Sequence, residues 1–117
     1  MRLRATAIAA VVGSALLISP LAQGTALATT YTVTRTSPCG YMTGTYTYNA
    51  ISGTDLFRVT YNGTVQNTCD YTVPLSAQMT WAGGGRDVAF DYYNAGEKLP
   101  VSFAESYVKD VRFALYG

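Results

Sequence analysis

The 117-residue chain has no histidine, two cysteines, a formal charge of +1 and only 13% charged residues. Without histidine, Ser-His-Asp and Cys-His catalysis are excluded, and two isolated cysteines cannot build a usual zinc site. The near-neutral balance leaves no electrostatic footprint for nucleic acid or anionic lipid.

Residues 1–28 read as a secretion signal. Arg2 and Arg4 give a positive start, Ala5 to Ile18 carry no charge, and Pro20 ends the apolar stretch. Ala26-Leu27-Ala28 offers the small-x-small pattern a signal peptidase accepts, with cleavage after Ala28 and Ala26 as the alternative. The run is shorter than the roughly 20 residues a bilayer span needs, so no stable membrane insertion is expected after cleavage. Residues 29–117 then form one secreted domain, with six basic against seven acidic residues. In an exported chain, Cys39 and Cys69 are expected to form one disulfide. It closes a loop worth on the order of 3–4 kcal/mol in the chain-entropy model.

Within residues 29–117, ten tyrosines and fourteen threonines point to β structure, and apolar residues recur with period two. In chain order, Tyr31 and Val33 alternate with threonines, and so do Met42, Tyr46 and Tyr48. Leu56–Tyr61 follows the Gly53-Thr54-Asp55 turn. Asn62-Gly63 then predicts a type I′ hairpin into Thr64–Cys69. The clearest strand is Tyr71–Trp81, with an apolar face at Tyr71, Val73, Leu75, Ala77, Met79 and Trp81. Pro74 places that strand at an edge or a bulge. After Gly83-Gly84-Gly85, the apolar set is Val88, Phe90 and Tyr92. Leu99, Val101 and Phe103 form the next strand. A short helical turn is conceivable at Glu105-Ser106, before Val111, Phe113 and Leu115. About seven such strands predict an all-β, Ig-like antiparallel sandwich, with a small β-barrel as the alternative.

No motif calls for a cofactor, a catalytic residue or a metal. Asp87 and Asp91 would lie roughly 13 Å apart along one strand face, too far to cooperate unless an acid from elsewhere joins one of them. The protein is therefore read as non-enzymatic. Trp81, Arg86, Tyr92 and Tyr93 are the binding candidates, being the residue types that dominate hot spots. One of the adjacent tyrosines must face out of the sheet. Thr30, Thr32, Thr34 and Thr36, with Thr43, Thr45 and Thr47, form threonine rows of the kind found on ice-binding sheets. Threonine's β preference alone also accounts for them. The expected function is a secreted binding module for an extracellular protein or a cell-surface glycan. The alternatives are an inhibitor of a secreted hydrolase, presenting the Gly83–Arg86 loop, and a subunit of an extracellular assembly such as a toxin or antibacterial complex.

Overall fold

The computed structural model describes residues 29–117; the expected signal segment, 1–28, lies outside the described residues. Strands β1 (Thr29–Ser37), β2 (Gly40–Ala50), β3 (Phe57–Asn67) and β6 (Lys98–Val108) form one sheet, in the order β1-β2-β3-β6. Strands β5 (Gly85–Tyr93), β4 (Val73–Trp81) and β7 (Arg112–Tyr116) form the other, in the order β5-β4-β7. All paired neighbours are antiparallel. The two sheets, of four and three strands, pack as the seven-stranded antiparallel sandwich expected from the sequence. Among the described residues no helix is long and apolar enough to cross a membrane.

The core follows from period two. On β4, Val73, Leu75, Ala77 and Met79 are buried, and Pro74, Ser76, Gln78 and Thr80 point the other way. Opposite them, the four-stranded sheet contributes Val33, Met42, Val59, Tyr61, Val65, Val101 and Phe103. Contrary to the edge position read from Pro74, β4 is the central strand of its sheet. Pro74 sits next to its first residue, and the β4–β7 ladder begins only at Ser76, so no hydrogen bond to β7 is demanded of it.

Asn62-Gly63 is not a turn. β3 runs straight through it, with Asn62 opposite Thr45 and Gly63 opposite Gly44. The glycine serves a close approach instead. A Cβ at Gly63 would collide with the Thr43 carbonyl and the Tyr61 hydroxyl, and one at Gly44 would meet the same hydroxyl at 2.7 Å. The two facing glycines make room for the Tyr61 ring, which is fully buried. Its hydroxyl has no hydrogen-bond partner. Burial pushes its pKa up to about 12.

Nor is there a helical turn at Glu105-Ser106. β6 bulges there: Val59 pairs with Glu105 but Phe57 with Val108, leaving an extra residue on β6. Tyr107, within the bulge, adopts a left-handed φ of 62°.

One end of the sandwich is tightly tied. The Cys39–Cys69 disulfide, with Cα atoms 5.1 Å apart, joins the β1–β2 turn to the β3–β4 loop. The Cys39 N–H donates to the Gly117 carbonyl at 3.1 Å. Asn67, fully buried, donates its amide to the carbonyls of Tyr71, Tyr93 and Asn94 at 2.7–3.1 Å and accepts from the Cys69 N–H at 2.9 Å. These backbone groups lie in the β3–β4 loop and at the end of β5, where the Asn67 side chain supplies partners for them.

Candidate functional site

β5 and β6 are the edges on one lateral side of the sandwich, and β1 and β7 are the edges on the other. The β1/β7 side is partly closed, because the Arg35 guanidinium donates from Nε to the Phe113 carbonyl at 3.0 Å. Along β5 the polarity is inverted relative to the sequence reading. Val88, Phe90 and Tyr92 face solvent and are 50%, 56% and 65% exposed. The inward set is Asp87, Ala89, Asp91 and Tyr93.

The cause is register. The tight β4–β5 turn, with Gly83 and Gly84 at φ of 97° and 90°, sets Trp81 opposite Gly85. Residues directly opposite share a face, so the inward Met79, Ala77, Leu75 and Val73 dictate that Asp87, Ala89, Asp91 and Tyr93 also face in. A one-residue slip of β5 would turn Phe90 inward but expel the buried Tyr93 from the core.

The four residues named from the sequence therefore separate. Arg86 and Tyr92 lie on the outer face, six positions apart, or roughly 20 Å along the strand. Tyr93 is a correction: it is 2% exposed and sits in the core opposite Val73. Burial raises its hydroxyl pKa, with Asp91 and Glu97 adding to the shift. Trp81 is half-buried against the core, and its indole occupies the space a Cβ of Gly85 would need. It does not join the outer face.

The outer face gains residues that were not singled out. Across β4 and β7, Phe90 aligns with Ser76 and Tyr116, and Tyr116 is itself exposed. Phe90 and Tyr92 meet edge to face with ring centroids 5.5 Å apart. Their period-two spacing was visible in the sequence, but nothing local to β5 said which side was out.

The inner side of this lateral opening is acidic. Glu105, on β6, has its pKa raised by a hydrogen bond shared with Asp87 on β5, then by burial and by the Asp87 charge. The second acid that Asp87 lacked within its own strand thus comes from the opposite sheet. Among the described residues the one ion pair is Lys109–Asp55, at 2.9 Å, so Asp87, Asp91 and Glu105 have no cationic partner there. No group of acids, cysteines or histidines among the described residues is arranged to hold a metal ion.

The outer face of the four-stranded sheet carries the threonine rows in register. Thr30, Thr47 and Thr60 align across β1, β2 and β3, as do Thr34, Thr43 and Thr64.

No protein-family model, no curated protein and no solved structure matches this chain.

Proposed function

We propose that the chain is a secreted, non-enzymatic interaction module that docks an extended segment of an extracellular protein along β5. The observation that carries this reading is the inverted edge strand. Val88, Phe90 and Tyr92 stand in a solvent-facing row beside backbone N–H and C=O groups that no strand among the described residues pairs. An unpaired, flat, apolar edge invites strand addition, in which main-chain hydrogen bonds give affinity and alternate side chains give specificity. The chemistry of the two sides defines the partner. Its outward residues would be apolar, to cover Phe90 and Tyr92. Its inward residues would be lysine or arginine, to meet Asp87, Asp91 and Glu105. The same surface suits a subunit of an extracellular assembly, whose neighbour would cover the edge permanently.

The test is capture of partners from the producer's culture medium by the oxidised, tagged protein, with mass spectrometry as readout. Wild type is compared with Phe90→Ser/Tyr92→Ser and with Thr32→Ala/Thr45→Ala. The expected result is one stoichiometric partner, lost only with the first double variant. Capture of nothing, or of the same protein by all three, would overturn the reading.

A further inference from the structure

The sheets have unequal lengths at the end remote from the disulfide. β2 and β3 are eleven residues each and β7 is five, so part of the inner face of the longer sheet is only half covered. That part is aromatic. Tyr31 stacks on Tyr46 at 5.3 Å and on Tyr48 at 5.6 Å, and Tyr48 meets Phe57 edge to face at 4.9 Å. The Tyr31 and Tyr48 hydroxyls hydrogen-bond at 3.2 Å. This bond is the main cause of a raised Tyr31 pKa. Tyr31 remains 40% exposed.

A groove of about 250 Å³ opens there. Tyr46, Tyr48, Phe57 and Val59 make one wall; Lys109, Asp110 and Val111 make the other. The second wall exists because of local backbone geometry. The β6 bulge turns the chain at Tyr107, and Asp110 adopts a second left-handed φ of 55°. The turn is then held at two points. The Lys109 ammonium pairs with Asp55 in the β2–β3 loop, and the Ala82 N–H donates to the Lys109 carbonyl at 3.0 Å. A tyrosine in the left-handed region is disfavoured and persists only where its surroundings enforce it.

The lining specifies the ligand chemistry. The Lys109 charge is already met by Asp55, so the free charge at the groove is the Asp110 carboxylate, which disfavours anions. A purely apolar ligand would desolvate that carboxylate without pairing it. A sugar ring has what both walls require: a C–H face for the aromatic rings, and hydroxyls that donate to Asp110. The volume lies below the roughly 300 Å³ at which drug-sized pockets begin, which suits one ring with the rest of a chain leaving by the open side. We infer that this groove is a subsite for a neutral pyranose, distinct from the protein-docking edge at β5.

Saturation-transfer NMR with the full oxidised protein tests this. The probes are the methyl glycosides of glucose, N-acetylglucosamine, galactose and mannose, with cellobiose and chitobiose, each at about 10 mM, in the range of weak single-site affinities. At least one probe is expected to receive saturation from the aromatic protons. Its affinity should fall about tenfold in Asp110→Ala and in Tyr48→Ala and stay unchanged in Phe90→Ser. Tyr48→Phe keeps the packing and removes only the hydroxyl; it covers the case in which Tyr48→Ala does not fold, and a loss of about threefold is expected. Absence of transfer to every probe, or transfer unaltered by Asp110→Ala and Tyr48→Phe, would overturn the inference.

Discussion

The two outer faces of this sandwich solve the same problem in opposite ways. On the four-stranded sheet, threonines meet threonines across β1, β2 and β3. Threonine satisfies the β preference of an exposed strand while its hydroxyl stays in water. On the three-stranded sheet, β4 shows serine, glutamine and threonine to solvent, but its edge neighbour shows Val88, Phe90 and Tyr92. A chain that can clothe one face in hydroxyls and leaves the other apolar has an asymmetry that solubility does not explain. Each Å² of that apolar surface would gain about 25 cal/mol on being covered. That difference is what the proposed docking along β5 rests on.

The largest expected effects come from variants that remove both faces together, because the faces share one core. Gly63→Ala drives a methyl into the Thr43 carbonyl and the Tyr61 hydroxyl, and should cost about 3 kcal/mol or more in urea unfolding. Asn67→Ala strands the Cys69 N–H and three carbonyls, and should cost about 3 kcal/mol. Tyr61→Phe acts oppositely: deleting an unpartnered buried hydroxyl should leave stability unchanged or raise it by up to about 1 kcal/mol.

Next come variants that split the faces. Phe90→Ser with Tyr92→Ser should weaken partner binding about 100-fold, while stability shifts by less than about 0.5 kcal/mol per site. Equal loss of fold and binding would mean that β5 needs these rings for its own stability.

A smaller effect is pH-dependent. Glu105 has its folded pKa raised, chiefly by its hydrogen bond with Asp87. The native state therefore holds this proton more tightly than the unfolded chain does. Stability is fullest below the ordinary glutamate range and falls as pH rises through the raised value. Glu105→Gln should flatten that slope and raise the melting temperature at neutral pH. A steeper slope in the variant would contradict the Asp87–Glu105 contact. The smallest effect is reserved for the hydroxyl face: Thr32→Ala and Thr45→Ala should each stay within about 0.5 kcal/mol of wild type, with partner binding untouched.

Much of the sandwich could be read from residue spacing. The apolar alternation from Val73 to Trp81 and the Cys39–Cys69 pair stand as expected, because each depends on one strong local or covalent constraint. Tyr71, read as the first position of that face, lies instead in the β3–β4 loop and is 59% exposed. Asn62-Gly63 misled because the same dipeptide serves a tight turn and a close approach of strands. Only the position of Tyr61, two residues back on the inner face, shows that space rather than positive φ is what Gly63 supplies. The polarity of β5 was hidden for a different reason. Its alternation was plain, but its direction is inherited from β4 through a turn of three residues. The Asn67 side chain and the Asp87–Glu105 contact join segments 26–27 and 18 residues apart, and no local pattern marks such partners.

The central claim is that β5 is the binding edge, and hydrogen exchange tests it most directly. Amide exchange would be followed in the oxidised protein alone and in complex with the captured partner. Strand addition predicts new protection confined to Gly85–Tyr93, where the edge amides gain acceptors. Protection appearing across the threonine rows of β1 and β2, with β5 exchanging as freely as before, would contradict it.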